Sequence, residues 1–174
     1  MAILVSNPST VQFTGAPAEP QDPAANPLDT GFTEELANAM QSPAQLTEGA
    51  NSGVKYFVNE SYNSGMSAIG LEYQVLDDAK HPDAKLGTVG NRTLASLYDI
   101  IPSNKIDGRF QKKVGEWNQG RIIVYPNNIV QHWLNGFKVL EYERKSNIFN
   151  VLVAHSKHAK WPGYGAQDKG AILF

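Results

Sequence analysis

After Gly49 the chain is dominated by short runs in which apolar and polar side chains alternate. Successive residues of a strand point to opposite faces, so each run predicts a half-buried strand. Val54–Val58 is the first, followed by a polar loop over Asn59–Ser67. In Leu71–Leu76, Glu72, Gln74 and Leu76 share one face and Leu71, Tyr73 and Val75 the other. Asp77–Gly87 reads as a loop and Thr93–Leu97 as a strand. Trp117–Tyr125, Ile129–Leu134 and Phe137–Glu143 predict a three-strand meander, with turns at Pro126-Asn127-Asn128 and at Asn135-Gly136, the latter a pair that accepts the positive φ angles of a two-residue hairpin. Such a loop sets Leu134 opposite Phe137, His132 opposite Val139 and Val130 opposite Glu141 on one face. Trp133/Lys138, Gln131/Leu140 and Ile129/Tyr142 share the other. His132 and Glu141 then sit among Val, Leu and Phe, where a polar residue belongs either to a strand end or to the lining of a concave site.

Only Ser146–Lys157 changes period. Ile148, Phe149, Leu152 and Val153 recur at helical spacing behind Ser146, a good N-cap. Trp161–Lys169 is a Gly/Pro loop, and Ala171–Phe174 starts another strand. Ahead of this region, Thr10–Phe13 suits a short strand and Thr33–Met40 a short helix, while Thr14–Asn26, rich in Pro and Ala, suits an extended linker. The fold class predicted is mostly β, antiparallel, with one short helix near 147–157. Residues 1–46 form a divergent, Pro-rich N-terminal segment and residues 47–174 the β domain.

Composition sharpens that division. The 174 residues suit one domain, and a formal charge of −2 gives no basic excess to attract nucleic acid. Residues 1–50 contain six carboxylates, no Lys or Arg, and six of the 10 prolines, leaving residues 51–174 with all 15 basic and 11 of the 17 acidic residues. Cysteine is absent, which excludes disulfides, thiolate metal sites and cysteine nucleophiles. The first eight residues have a four-residue apolar stretch without a basic flank, unlike a signal peptide. No apolar run approaches the roughly 20 residues of a membrane span.

Several clusters could carry chemistry. Glu72 and Gln74, two apart on a strand, would present a carboxylate for proton transfer and an amide for a sugar hydroxyl to one volume. The same alternation also fits a solvent-facing sheet. Asp77, Asp78 and His81 put metal-ligating side chains close together, without the spacing of any specific cation loop; a polar turn ending at Pro82 is the competing reading. His132 could move protons near neutral pH and Trp133 could stack on a sugar ring, or both could belong to an ordinary hairpin. His155-Ser156-Lys157-His158 has no sequence order that specifies a Ser triad, and Lys157 pointing into a site is the better use of it. Asn51 lies in a tight Ala50–Gly53 turn, and no phosphate-binding fingerprint occurs.

Five blocks in order, GANSGVKYFV (49–58), GLEYQVLDDAKHPDA (70–84), ASLYDIIP (95–102), GEWNQGRIIV (115–124) and QHWLNGFKVLEYE (131–143), resemble the 3-keto-disaccharide hydrolase family. The resemblance runs from about Thr47 to Phe174. It implies a concanavalin-like jelly roll, a β-sandwich of two antiparallel sheets, with a sugar-sized site on a concave face. It also implies action on glycosides already oxidised at C3. The ketone acidifies the C2 proton, a base removes it as the C1 substituent leaves, and water adds to the resulting enone. On this sequence the resemblance makes Glu72 and His132 the proton-transfer candidates. Gln74, Trp133, Lys157, Asn51 and Tyr98 would bind substrate. Asp77, Asp78 and His81 would border the site or help hold a divalent metal ion, which shares with hydrogen-bond donors the task of polarising the C3 oxygen. A non-catalytic carbohydrate-binding jelly roll, or an inactive fragment of the family, is the alternative. Sequences of this family enter through aromatic-rich strands, where GFTEELANAMQSPAQLTEG carries one aromatic, and continue from a GAILF-like segment into Gln-Asp-His-Gly and a closing strand, where this chain ends at Phe174. The jelly roll is therefore expected to be incomplete at its C-terminus. The implied partner is a glycoside, and the family analogy points to a periplasmic or extracellular location.

Overall fold

The computed structural model describes residues 3–4, 11–13, 41–63, 68–108 and 110–174. The linker expected at 14–26 and the helix expected at 33–40 lie outside them. Among the described residues nine strands run in chain order, and the first six are β1 (Ile3–Leu4), β2 (Val11–Phe13), β3 (Gln41–Leu46), β4 (Asn51–Asn63), β5 (Ala68–Leu76) and β6 (Trp117–Val124). They are followed by β7 (Ile129–Leu134), β8 (Phe137–Glu143), helix α1 (Asn147–Ala154) and β9 (Ala171–Leu173). One sheet has the order β1-β2-β3-β6-β7-β8 and the other β5-β4-β9, and every pairing is antiparallel. Among the described residues the fold is a β-sandwich with one α-helix. β3, within the segment set apart by composition, is hydrogen-bonded to β6 in the larger sheet.

The strand alternation predicted for 71–76 holds, and it decides where everything else lies. Leu71, Tyr73 and Val75 are buried in the core between the sheets with Tyr56, Ile122, Val130, Leu134 and Tyr142. Gly120 of β6 makes room for Tyr73, since a Cβ there would stand 3.2 Å from its hydroxyl. Glu72 and Gln74 therefore point to the opposite side of β5, away from the larger sheet.

Three expectations need correction. β4 continues through Asn59 to Asn63, where a polar loop was expected; bulges after Tyr56 and Asn59 carry its pairing with β5 onward. Residues 93–97 form turns rather than a strand, with Ala95 at φ 65° and only an isolated bridge between Leu97 and Tyr73. They still follow the edge of β5: Ala95 N donates to Gln74 O, Gln74 N to Ser96 O and Tyr98 N to Glu72 O. The β7–β8 hairpin keeps its two-residue turn, with Asn135 at φ 51° and Gly136 at φ 83°, and pairs Leu134 with Phe137 and Trp133 with Lys138. Beyond these the register slips by one, so His132 faces Leu140, Gln131 faces Glu141 and Val130 faces Tyr142. Val139 is the extra residue, and its carbonyl accepts the Asn104 N–H at 2.6 Å. The bulge buries both Val139 and Leu140 and turns Glu141 outward, where it accepts hydrogen bonds from Gln131 and Lys138. Helix α1 starts at its expected cap, Ser146 Oγ accepting from Phe149 N, and buries Phe149, but Ile148 is 75% exposed.

Candidate functional site

The outer face of the small sheet gathers titratable and polar side chains around a cleft. Asn51, Gly53 and Lys55 of β4 stand opposite Leu76, Gln74 and Glu72 of β5. Gly53 has a specific job: a Cβ there would lie 2.3 Å from Glu72 Oε1, so the carboxylate rests directly over the glycine backbone. A cleft of about 260 Å³ opens at this point, lined by Lys55, Gly70, Glu72, Lys157, His158 and Trp161, among others. Its far wall comes from the chain after α1. That helix stops at Ala154, and Ser156 caps the next turn, its Oγ accepting from His158 N, so Lys157 emerges over the sheet. The wall is fastened by Tyr164, whose hydroxyl donates to Gly70 O at 2.7 Å and whose ring stacks on His158 at 4.2 Å.

Charge in the cleft is mixed. Burial pushes the Glu72 carboxyl above its ordinary range, while Lys55 and Lys157 pull it down and Asp83 pushes it up. Burial lowers the Lys157 ammonium, opposed by Glu72. Desolvation thus works against the charged form of both groups, and the attraction between them opposes it in each. Burial, aided by Lys157, lowers His158 to about 4, so it is neutral near pH 7.

Behind Glu72 lies a polar chain. Asp83 N donates to His81 Nδ1, His81 Nε2 meets Asn51 Nδ2 at 3.3 Å, and Gln74 Nε2 donates to Asn51 Oδ1 at 3.4 Å. Gln74 is 1% exposed, and its Oε1 has no protein hydrogen-bond partner. Tyr98 donates to Asp83 Oδ2 at 2.7 Å, and Lys157 Nζ lies 3.7 Å from the centre of its ring. Glu72, Gln74, Asn51, Tyr98, Lys157 and His81 therefore gather on one side of one sheet.

His132 and Trp133 do not join them. His132 is fully buried between the sheets, its ring 4.8 Å from that of Tyr73. Its Nδ1 donates to the Ala95 carbonyl at 2.9 Å, which leaves Nε2 to accept from the Tyr56 hydroxyl at 2.8 Å. Burial lowers it to about 4. With both nitrogens engaged and the backbone of β5 between it and Glu72, His132 reaches no sugar. Trp133 lies on the outer face of the larger sheet, its Nε1 donating to Gln131 and the Arg121 guanidinium 6.0 Å from its ring. The expected convergence of Glu72 with His132 is thus replaced by that of Glu72 with Lys157.

The proposed metal ligands are spent on the loop itself. Asp77 accepts the N–H groups of Gly49, Ala79 and Lys80, and Asp78 accepts Leu94 N and the Lys105 ammonium. His81 caps the short 3₁₀ turn Pro82–Lys85. Among the described residues no group of three or more His, Asp or Glu side chains is placed to hold a metal. This donor set does not fit a divalent cation.

Sequence reasoning missed Lys55, His158, Trp161 and Tyr164. Lys55 was legible, because Asn51, Gly53 and Lys55 continue the period-two polar face that Glu72 and Gln74 begin. The other three depend on the return of the 157–164 turn onto β5, which no local pattern encodes.

Residues 34–174 match the family profile of the 3-keto-alpha-glucoside-1,2-lyase-like domain. The chain is 40% identical over 146 residues to a 3-keto-disaccharide hydrolase of Bacteroides thetaiotaomicron, an alignment covering 77% of this chain and 49% of that protein. It spans about half the length of that curated relative. A crystal structure from Parabacteroides distasonis, named a "putative glycosyl hydrolase", shares the fold with a TM-score of 0.63 at 23% identity, over 76% of this chain and 62% of that one. With the profile matched from ahead of β3 to Phe174, the chain belongs to the 3-keto-α-glucoside-1,2-lyase-like domain family.

Proposed function

We propose that the cleft cleaves 3-keto-glycosides by elimination, with Glu72 moving the proton and Lys157 holding the charge. The C3 ketone makes the C2 proton acidic. Glu72, as carboxylate, takes that proton, and the electron pair is delocalised onto the C3 oxygen, which the Lys157 ammonium stabilises. The pair then forms the C1–C2 double bond as the C1–O bond breaks, and the proton now on Glu72 passes to the departing oxygen. Water adds across the double bond to complete a net hydrolysis. Gln74 and Asn51, hydrogen-bonded to each other, back the cleft from below, and the rings of Trp161 and Tyr164 give the pyranose an apolar surface.

The observation that carries this reading is the seating of Glu72 over Gly53 in a cleft shared with Lys55 and Lys157. The reading also rests on family membership, since the Bacteroides relative bears the name of a hydrolase of 3-keto-disaccharides. The test is release of the aglycone from a 3-keto-glucoside. Wild type is expected to release it, and Glu72→Gln, isosteric and uncharged, to lose about 10²–10⁴-fold in rate with unchanged circular dichroism. Glycoside binding by calorimetry without turnover would instead make the domain a carbohydrate-binding module. Full activity of Glu72→Gln would remove Glu72 from the chemistry.

A further inference from the structure

Lys157 needs to be held where it is, and the structure shows what holds it. Asp99 is 7% exposed and sits at φ 62°, a left-handed conformation that aims its carboxylate at two partners. Its Oδ1 accepts from Arg92 Nε at 2.6 Å, and its Oδ2 accepts from the backbone N–H of Lys157 at 2.8 Å, across 58 residues of sequence. Arg92 continues the chain by donating from Nη1 to Asp83 Oδ1 at 2.9 Å, and Asp83 Oδ2 takes the Tyr98 hydroxyl. The Tyr98 ring in turn lies under the Lys157 ammonium, 3.7 Å from its centre, and the Tyr98 carbonyl meets His158 Nε2 at 3.3 Å. The turn bearing Lys157 is thus gripped twice, by its backbone through Asp99 and by its side chain through Tyr98. Asp83, Arg92 and Asp99 together carry one net negative charge, which balances the ammonium above them. A network that fully hydrogen-bonded, in a half-buried place, fixes geometry more strictly than an exposed ion pair.

We propose that Asp99 is a positioning residue: through the Asp83–Arg92–Asp99 clamp and Tyr98 it holds the Lys157 ammonium beside Glu72. The role of that lysine in catalysis rests on the function proposed above, whereas the positioning is a property of the fold and can be measured without turnover. Glu72 faces Lys55 from β4, Lys157 from the turn after α1 and Asp83 from the 3₁₀ turn, with the neutral Tyr98 and Tyr164 also near it. Deleting a carboxylate lowers the titration midpoint of a neighbouring carboxyl. Releasing Lys157 raises it. The clamp therefore predicts a shift of opposite sign to that of simple charge removal.

The experiment is a ¹³C NMR titration of the Glu72 carboxyl, assigned by its loss in Glu72→Gln, in wild type, Asp99→Ala and Asp99→Asn. The midpoint is expected to rise in Asp99→Ala and to rise less in Asp99→Asn, which keeps an oxygen acceptor for the Lys157 N–H. Turnover should fall about 10²-fold in Asp99→Ala, chiefly in kcat with little change in KM, as expected of a misplaced group that acts on the reacting atoms. Should Asp99→Ala not fold, the near-isosteric Asp99→Asn carries the test alone, since loss of the carboxylate charge by itself lowers the Glu72 midpoint and only release of Lys157 raises it. A folded variant whose Glu72 midpoint stays put or falls would overturn the clamp, whatever its activity. A raised midpoint in a protein whose wild type leaves 3-keto-glucosides intact would uphold the clamp and remove the proposed function.

Discussion

Gly53 is the residue on which the geometry of the cleft turns. Its missing side chain lets Glu72 fold back over β4, toward Lys55 and the Lys157 turn. Alanine is compatible with strand backbone, but its Cβ would meet Glu72 Oε1 at 2.3 Å and Glu72 Cδ at 2.9 Å, so the carboxylate must swing away. Gly53→Ala is expected to leave the denaturant midpoint almost unchanged and to lower aglycone release at least tenfold, measured side by side on one preparation. At this scale strand alternation put Glu72 and Gln74 on one face, and the structure gathers them with Asn51, Tyr98 and Lys157 on one side of the small sheet. The sequence misled about His132 because a histidine on an apolar strand face looks the same whether that face lines a cleft or a core. The difference lies in what packs on it, here Tyr56, Tyr73 and Tyr142.

The β7–β8 hairpin shows what local pattern does and does not specify. Asn135-Gly136 announces the turn, and both residues take the positive φ that this turn demands. Gly136 has open space around a would-be Cβ, so an alanine there suffers only backbone strain. Gly136→Ala is expected to cost about 1–2 kcal/mol, read from the urea midpoint, with activity per folded molecule unchanged. The bulge at Val139 escaped the alternation argument. Its one visible sign is the adjacent apolar pair Val139-Leu140, which breaks period two. Its cause is long-range: the Val139 carbonyl turns to accept the Asn104 N–H, a partner 35 residues back in the chain. The same holds for 93–97, where β-like composition yields to turns because β5 supplies only some of the hydrogen bonds a strand would need.

In the whole molecule, a polar line runs through the middle of the sandwich: Ala95 O, His132, Tyr56 and Tyr142, each within hydrogen-bond reach of the next. It makes the sandwich acid-sensitive. His132 is neutral when folded, lowered to about 4 from an ordinary 6.5, so between those values the unfolded chain binds the extra proton. Stability is therefore intact above pH 6.5 and lost as pH falls toward about 4, by roughly 3 kcal/mol at most from this one group. His158 adds a loss in the same window. Urea midpoints measured across it should fall less steeply in His132→Gln than in wild type, and equal slopes would contradict the assignment. Antiparallel β structure was legible from alternation, and the two-sheet sandwich from the family resemblance; that Glu72 would meet Lys157 across β5 and the turn after α1 was not, because that pairing arises only when residues 72 and 157 are folded together. The account stands on C2 deprotonation in that cleft, and one measurement reaches it directly. A 3-keto-glucoside is incubated with the protein in D₂O, and the released 3-keto-sugar is read by NMR at C2, against product incubated without protein. Elimination followed by hydration predicts deuterium at C2 as fast as aglycone appears; protium retained at C2 after complete release would mean direct hydrolysis at C1 and contradict it.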